Sequence, residues 1–215
     1  MKPAIALFAR APVPGQVKTR LIGRWTPEQV SALYRAFVLD MWEMLGAFTP
    51  GAGRFLYIDR EHEEWRRLAG DGVRVQQGGD LGERMLHCFE EMRAAGSGPL
   101  LIVGSDSPAL SADVLAGWTD VLEQFPALLG PAEDGGYYAI GCRAPHTRMF
   151  EGVEWSSART LVQTAAALGR CGLDPAYLPI HFDVDTPEDL ARLSGEPSLG
   201  PRTRRWLAAF TALRS

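Results

Sequence analysis

Apolar runs typical of buried strands alternate with segments of helical periodicity along most of this chain. The predicted strands are residues 4–8, 54–58, 73–75, 100–103, 127–130, 137–140 and 179–184. The predicted helices cover residues 61–68, 81–95, 111–124 and 157–168, and three more begin at Thr26, Thr186 and about Pro201. Such alternation calls for a mostly parallel sheet that helices cover on both faces. We therefore predict an α/β protein with a three-layer α/β/α, Rossmann-like architecture.

Several of the helix starts carry capping signals. In Thr26-Pro27 and Thr186-Pro187, threonine can cap the helix, and proline fits the first helical position. The third helical position holds Gln29 in one case and Asp189 in the other, as a capping box requires. Ser111 is the predicted cap of a further helix. Two apolar helix faces are predicted: one from Val30, Leu33, Tyr34, Phe37, Val38, Met41 and Leu45, and one from Trp206, Leu207, Phe210 and Leu213.

Composition limits the class of protein. A length of 215 residues and a hydrophobic fraction of 46% suit one domain, residues 1–215, with a sizeable core. The net charge of −4 disfavours nucleic acid as a partner, because proteins that bind it usually carry a basic face. Three cysteines without a Cys-x-x-Cys pair disfavour disulfides and structural zinc. We expect a cytoplasmic protein with no membrane or nucleic-acid partner, of undefined oligomeric state.

A loop rich in cations follows the first predicted strand. It holds Arg10, Lys18 and Arg20 together with Gly15 and two prolines, and it has no acidic residue. Loops at the carboxyl ends of parallel strands are where open α/β sheets bind their ligands. Cations without an acidic neighbour at such a place indicate an anionic ligand, and a nucleotide phosphate suits the layout best. The alternative is that all three are solvated surface charges.

Three aspartates follow predicted strands. Asp106 comes directly after the most apolar run, so we expect it at the carboxyl edge of the sheet, where one or two carboxylates usually hold Mg²⁺. Asp183 and Asp185 end the last predicted strand on one face, and two neighbouring carboxylates repel unless a cation joins them. One of the two is therefore a second candidate ligand. The alternatives are a turn role for Asp106, a helix-start role for Asp185 and a solvated Asp183.

Glycine-rich segments form the other candidate sites. Gly135 and Gly136 permit close approach of a ligand and present Glu133 and Asp134 at a loop tip. A plain hairpin turn is the alternative, and the two interpretations are compatible.

Two further segments could contact a substrate. Gly79 and Asp80 precede a helix, where they could contact a base or ribose, or where Asp80 could simply cap the helix. Trp155 beside Ser156 could form an acceptor pocket, or the indole could be ordinary core. The chain has neither a Walker sequence nor a Gly-x-Ser-x-Gly elbow, which disfavours classical kinases and hydrolases.

Together these motifs resemble those of the nucleotide-diphospho-sugar transferase superfamily, whose members have the glycosyltransferase A fold. The resemblance covers residues 4 to about 193 and depends on residues 12–21, 104–108, 130–138 and 183–190. Within the superfamily the chain is similar to an uncharacterised bacterial family often labelled glycosyltransferases. It is also similar to 2-phospho-lactate guanylyltransferase and, more distantly, to molybdenum cofactor guanylyltransferase.

The resemblance implies roles for individual residues. Phosphates would be held by Arg10, Lys18 and Arg20 in the loop that contains Gly15, and a Mg²⁺ or Mn²⁺ ion by Asp106 and Asp185. Gly79 and Asp80 would contact the nucleotide. The turn of Asp134, Gly135 and Gly136 would face the acceptor side. Tyr137, Trp155 and Ser156 are further candidate acceptor residues that the resemblance does not assign.

The leading hypothesis is Mg²⁺-dependent transfer of a nucleotidyl group from a nucleoside triphosphate to a phosphorylated or hydroxyl-bearing small molecule. Lys18 and Arg20 would neutralise the departing pyrophosphate, and positioning and charge neutralisation would supply most of the acceleration. The alternative is glycosyl transfer from a nucleotide sugar, which needs a general base such as Glu133 or Asp134. A third possibility is a nucleotide-binding protein without catalysis.

Overall fold

The computed structural model describes residues 1–48 and 51–211, and a single seven-stranded sheet runs through them. Its strands are β1 (Lys2–Ala9), β2 (Gly53–Ile58), β3 (Val73–Val75), β4 (Ser97–Gly104), β5 (Ala127–Pro131), β6 (Tyr137–Cys142) and β7 (Pro175–Tyr177). The helices are α1 (Pro27–Phe48), α2 (Glu63–Ala69), α3 (Leu81–Ala94), α4 (Ala112–Leu115), α5 (Trp118–Gln124), α6 (Thr160–Arg170), α7 (Pro187–Leu193) and α8 (Pro201–Thr211). Two short 3-10 turns, Thr19–Leu21 and Gly70–Gly72, complete the described elements.

The strand order is β3-β2-β1-β4-β6-β5-β7, and the predicted mostly parallel sheet is confirmed. Strands β3, β2, β1 and β4 are parallel neighbours; β6 runs antiparallel to β4 and β5, and β7 is parallel to β5. The carboxyl ends of β1 to β4 therefore share one edge of the sheet with the turn between β5 and β6. The loops that hold the candidate site residues all begin or end at this edge.

The sheet separates two apolar layers, which explains why its central strands are apolar throughout. Along β1, Ile5 and Leu7 face one layer, and Ala6 and Phe8 face the other, because successive side chains point to opposite faces of a strand. The first layer contains the apolar faces of α1 and α8, and the second contains that of α3. The predicted three-layer architecture is therefore confirmed. No described helix is both long and apolar enough to cross a bilayer.

Both predicted capping boxes are present. The N–H of Gln29 donates to Thr26 Oγ1 at 3.3 Å, and the N–H of Thr26 donates to Gln29 Oε1 at 2.9 Å. The N–H of Asp189 donates to Thr186 Oγ1 at 3.2 Å, and Asp189 Oδ2 accepts the Thr186 N–H at 2.8 Å. The seven apolar α1 residues predicted to share a face are all buried.

The prediction of a last strand at residues 179–184 is wrong. The last strand is β7, and the chain from Pro179 to Val184 is extended but joins the sheet through one bridge, between Ala132 and His181. Its backbone bonds are divided between the end of β5 and the loop after β4: the His181 N–H donates to Pro131 O at 3.0 Å, and the Val184 N–H donates to Asp106 O at 2.9 Å. A segment whose partners change from a strand to a loop makes isolated bonds and no continuous ladder.

Two helix predictions differ from the structure. The predicted helix 111–124 is two helices, α4 and α5, separated at Gly117, whose φ of +73° is left-handed. The Ser111 side chain makes no capping bond to α4. Helix α6 begins at Thr160 rather than 157, because the Thr160 hydroxyl bonds to the carbonyls of Glu154 and Ser157 and stabilises a turn there. Leu213 of the predicted last helix lies outside the described residues.

A single carboxylate on α1 caps the N-terminus of α8. Asp40 is buried, and its Oδ2 accepts the Thr203 N–H at 2.8 Å while its Oδ1 accepts from Arg202 Nη1 at 3.0 Å. Arg202 also pairs with the exposed Glu43. The same guanidinium therefore has one buried and one exposed carboxylate partner.

We expect Asp40→Ala to lower the free energy of unfolding by about 2 kcal/mol, because buried donors of α8 lose their acceptor. Glu43→Ala is the matched control; it removes an exposed partner of the same arginine and should cost at most about 0.5 kcal/mol. Urea unfolding of both variants measures the difference. Equal losses would contradict a capping role for Asp40.

Candidate functional site

The loop that follows β1 is fixed at its start by side chains from three other segments. The Arg10 N–H donates to the Tyr34 hydroxyl at 2.7 Å, the Ala11 N–H donates to Asp59 Oδ1 at 2.6 Å, and Trp65 Nε1 donates to Arg10 O at 2.8 Å. The loop then turns at Gly15, whose φ is +80°. The cationic loop therefore leaves the sheet edge in a defined direction.

The Lys18 side chain points inward rather than into solvent. It is 4% exposed, and its Nζ lies 2.5 Å from Asp106 Oδ1 and 2.9 Å from Asp185 Oδ1. Burial alone would lower the pKa of the ammonium group, but the charges of Asp106 and Asp185 outweigh burial and hold that pKa above its usual value. One buried cation therefore joins two acidic segments that lie 79 residues apart in the chain, at positions 106 and 185.

The two arginines of the loop differ from Lys18. Arg20 is 72% exposed at its side chain, and its Nη1 lies 3.4 Å from Asp185 Oδ2. Arg10 is exposed, and its guanidinium makes a long contact of 3.5 Å with Gln16 O. Both guanidinium groups therefore retain most of their donors for a partner in solvent.

Two hydrogen bonds hold the backbone around Asp106 in place. The Ser105 hydroxyl is 2.9 Å from the Tyr34 hydroxyl, and the Asp106 carbonyl accepts the Val184 N–H at 2.9 Å. The carboxylates of Asp106 and Asp185 are 53% and 45% exposed at their side chains, so each keeps oxygen atoms available to solvent. Burial raises the pKa of the Tyr34 hydroxyl to about 12, with the Asp106 charge acting in the same direction, so Tyr34 stays protonated near neutral pH.

Asp183 has a different environment from Asp185. The Ser107 hydroxyl donates to Asp183 Oδ1, and no contact joins Asp183 to Lys18 within hydrogen-bond distance. Burial, helped by the Asp106 charge and opposed by the bond from Ser107, raises the pKa of Asp183 to about 6. Of the two aspartates that the sequence offers as a second ligand, Asp185 is the one that shares a cation with Asp106.

The turn between β5 and β6 brings Asp134 to the same edge. Asp134 Oδ1 accepts the Gly136 N–H at 2.8 Å, and the Asp134 charge contributes to the raised pKa of Asp183. Glu133 points elsewhere; its two carboxylate oxygens pair with Arg192 at 2.7 and 2.9 Å. Of the two candidate bases, Glu133 is therefore already neutralised by an arginine, and Asp134 is exposed.

Gly79 and Asp80 form the entrance to α3. The Glu83 N–H donates to Asp80 Oδ1 at 2.8 Å, and the Gly79 N–H donates to Glu83 Oε2 at 2.6 Å, so Asp80 acts as a helix cap. The nearby Gln76 amide donates to Ala9 O at 3.3 Å and to Tyr57 O at 3.0 Å. These bonds fix the segment beside the carboxyl end of β1, and Gly79 and Asp80 are both exposed.

The residues assigned to the acceptor side lie against one another. The Leu161 N–H donates to Gly135 O at 2.9 Å, and a Cβ added to Gly135 would lie 2.3 Å from Ala158 O. Trp155 packs edge-on against Phe150, and its ring covers Gly82 at the start of α3.

The two remaining acceptor residues differ in exposure. Ser156 is exposed, with a left-handed φ of +58°, whereas Tyr137 is half-buried with its hydroxyl 3.8 Å from Met85 Sδ. The glycine turn, the Trp155 segment and the start of α3 therefore form one continuous wall.

Three residues that organise the site were not singled out from the sequence: Tyr34, Asp59 and Ser107. Tyr34 was assigned to the apolar face of α1, which is correct for its ring but not for its hydroxyl. A buried tyrosine hydroxyl usually finds a hydrogen-bond partner. The position of Tyr34 in an apolar stripe therefore indicates that its hydroxyl bonds to another part of the protein. Neither Asp59 nor Ser107 gives a comparable signal, because acidic and hydroxyl side chains after strands are common.

The residues at this edge fit a divalent cation of the magnesium type. Asp106 and Asp185 contact one common point, Lys18 Nζ, and both are oxygen ligands with exposed atoms. Within residues 1–48 and 51–211, no group of three or more His, Cys, Asp or Glu side chains is placed to hold a metal. Two carboxylates match the way Mg²⁺ is usually bound, with phosphates and water as its other ligands.

Known structures share this fold over nearly the whole chain. A crystal structure from Desulfovibrio desulfuricans G20, itself provisionally assigned as a nucleotide-diphospho-sugar transferase, has a TM-score of 0.86 and 29% identity. The match covers 99% of this chain and 98% of that one. A cytidylyltransferase from Leptospira borgpetersenii serovar Hardjo-bovis (strain JB197) has a TM-score of 0.57 and 15% identity, over 99% and 95% of the two chains. The similarity to the cytidylyltransferase is a similarity of fold alone.

The fold and the similarity to the Desulfovibrio structure define a transferase of the nucleotide-diphospho-sugar type. Residues 50–157 match the model of a family described as "Uncharacterized protein conserved in bacteria (DUF2064)", and the chain belongs to this family. A search of curated proteins finds no match.

We expect Tyr34→Phe to loosen the start of the cationic loop, because the partly buried Arg10 N–H and the buried Ser105 hydroxyl both lose a partner. The free energy of unfolding should fall by roughly 1–2 kcal/mol, and the Arg10 amide should exchange with solvent faster. Tyr177→Phe, on the exposed edge strand, is the control and should leave both values unchanged. An unaltered Arg10 exchange rate in Tyr34→Phe would show that the hydroxyl does not hold the loop.

Proposed function

We propose that this protein transfers a nucleotidyl group from a nucleoside triphosphate to a phosphorylated or hydroxyl-bearing small molecule, with Mg²⁺ or Mn²⁺ as cofactor. The observation that carries the proposal is the cluster of Lys18, Asp106 and Asp185 at the carboxyl edge of the sheet. The carboxylate pair supplies oxygen ligands for a divalent cation, and the three cationic side chains supply positive charge for a polyphosphate.

The distribution of positive charge supports a triphosphate substrate. A departing pyrophosphate carries several negative charges, so its release requires more than one cation nearby. Arg10 and Arg20 are exposed at the same edge and keep most of their donors free of protein partners. A guanidinium group donates in a planar fork that suits phosphate oxygens. In this proposal Arg20 and Lys18 hold the leaving group, and Arg10 aligns it.

Asp106 and Asp185 are the residues that would hold the cation. A bound Mg²⁺ would supply charge neutralisation on the phosphate oxygens and bring the acceptor and the α-phosphate together. The remaining contributions come from the protein: Tyr34 and Ser105 fix the Asp106 backbone, and the Thr186 capping box fixes Asp185 at the start of α7. Such a site works by positioning and electrostatics and needs no covalent intermediate.

A second candidate function is glycosyl transfer from a nucleotide sugar. The assignment of the Desulfovibrio protein as a nucleotide-diphospho-sugar transferase favours it. This reaction needs a general base beside the acceptor, and Asp134 is the candidate, because Glu133 is paired with Arg192. The two functions share the nucleotide and the cation and differ in the leaving group.

We expect the wild-type protein with Mg²⁺ to release pyrophosphate from one of the four nucleoside triphosphates when a matching acceptor is present. Asp106→Asn and Asp185→Asn should each lower kcat/KM by about 100-fold or more, because a preorganised charge is lost at the reacting phosphate. Asp71→Asn, on an exposed turn remote from this edge, is the matched control. A panel of phosphorylated and hydroxyl acceptors is assayed by coupled pyrophosphate detection.

Absence of pyrophosphate across the panel, together with tight binding of a nucleotide sugar, would overturn nucleotidyl transfer. In that case Asp134→Asn should lower the kcat of glycosyl transfer by roughly 100-fold or more, and Glu133→Gln should change it little. Product formation from a nucleotide sugar, followed by chromatography, measures both variants. Equal effects of the two substitutions would exclude Asp134 as the base.

A further inference from the structure

The cation between Asp106 and Asp185 is Lys18, and the chain has one other lysine. Lysine and arginine together number 22, and the lysines are Lys2 and Lys18. Arginine supplies the cation at other ion pairs of the described residues, including those of Arg192 and Arg202. An ammonium group is a compact point charge, whereas a guanidinium is a planar group with a delocalised charge. The residue at position 18 is therefore the one whose charge most closely imitates a bound cation.

The backbone at Lys18 is held in a conformation that directs this side chain inward. Lys18 has φ +45° and ψ +45°, a left-handed conformation that residues other than glycine seldom adopt. The flanking Val17 and Leu21 are both buried, so the loop is anchored on either side of it. Strained conformations of this kind persist where the surroundings determine them, and they cluster at binding and switch sites.

The position of the ammonium conflicts with the position that a divalent cation needs. Two carboxylate oxygens lie 2.5 and 2.9 Å from Lys18 Nζ, so the ammonium occupies the space between them. A divalent cation that bound both carboxylates there would meet a positive charge at contact distance. The two cations therefore compete for one place.

We propose that Lys18 is an exchangeable counter-ion: its ammonium group neutralises Asp106 and Asp185 in the free protein, leaves them when a divalent cation binds, and then pairs with substrate phosphates. The inference depends on the proposed function for the metal and the phosphates. The metal alone binds weakly, because its binding deprives Lys18 of both partners. A polyphosphate gives Lys18 new partners, so metal and polyphosphate favour each other's binding to the same extent.

Lysine-specific labelling of the wild-type protein tests the exchange, with Lys2 as an internal control. Lys2 is exposed and Lys18 is 4% exposed, so an acylating reagent should modify Lys2 first. Saturating Mg²⁺ should raise the labelling rate of Lys18 relative to Lys2 by about fivefold or more, and inorganic pyrophosphate added with Mg²⁺ should lower it again. Mass spectrometry of the two lysine peptides measures both rates. A Lys18 rate that stays unchanged while calorimetry detects bound Mg²⁺ would overturn the proposal.

Titration with Mn²⁺ alone provides an independent measurement. Lys18→Met should bind Mn²⁺ about tenfold or more tightly than the wild type, because no ammonium competes for the carboxylates. Arg20→Met is the matched control, since it removes a positive charge near Asp185 but not from between the two aspartates; its gain should be less than threefold, a figure on the order of a screened surface charge. Circular dichroism confirms that each variant is folded. Equal affinities of Lys18→Met and wild type would overturn the exchange, as would absence of binding to both.

The outcomes separate this inference from the proposed function. Labelling and Mn²⁺ titration need neither a nucleoside triphosphate nor an acceptor, whereas the proposed function is tested by pyrophosphate release. Exchange at Lys18 without pyrophosphate release would retain the counter-ion role and reject nucleotidyl transfer. Pyrophosphate release with Lys18 protected throughout would do the reverse. If Lys18→Met does not fold, the wild-type labelling experiment alone decides.

Discussion

Repulsion between two carboxylates, relieved by one buried ammonium, is the interaction on which the arrangement of this sheet edge depends. Asp106 follows β4 and Asp185 precedes α7, and the Ser107 hydroxyl also donates to the Asp183 carboxylate across this junction. Lys18 draws both towards the loop after β1. Without it, two like charges would lie side by side at the place where three segments converge. The backbone bond from Val184 to Asp106 adds a neutral tie at the same junction.

The sheet explains why these segments meet at all. Parallel strands β1 and β4 are neighbours, so the loops that follow them leave the same edge side by side. Strand β6 runs in the opposite direction beside β4, which returns the turn before it to that edge. One antiparallel strand in an otherwise parallel arrangement thus adds the glycine turn and Asp134 to the site. The apolar layers on the two faces hold this geometry rigid, because β1 and β4 are buried on both sides.

Local signals predicted much of this structure, and long-range partners explain what they missed. The capping boxes at Thr26 and Thr186 depend on residues three apart, and the buried strand β1 depends on an unbroken apolar run, so both are readable in the sequence. The segment 179–184 resembles a strand by the same criteria, but its backbone partners are the end of β5 at Pro131 and the loop at Asp106, which no local pattern specifies. The break between α4 and α5 at Gly117 likewise has no local signal, because the apolar residues on both sides of it keep a helical spacing.

In the candidate site, too, some features follow from local sequence signals and others depend on long-range contacts. The residue types and their place after strands predicted that Lys18, Asp106 and either Asp183 or Asp185 would come together, and the family resemblance implied Asp185. The structure brings Lys18, Asp106 and Asp185 within hydrogen-bond distance. That a lysine would stand between the aspartates could not be read from spacing, because it depends on a left-handed residue in a loop. No local sequence pattern indicates the pairing of Glu133 with Arg192, which is 59 residues away.

The contact between Gly135 and Ala158 divides the wall of the site into a fixed and a variable part. A side chain at position 135 would collide with the Ala158 carbonyl, and the bond from Leu161 ties the two segments together. Position 135 is thereby confined to glycine. Ser156, two residues from Ala158, is exposed but has a left-handed φ of +58°, so it suits residues that adopt this conformation readily, such as Gly, Asn and Asp. What this wall presents to a ligand can therefore vary at position 156 within those residue types, and not at position 135.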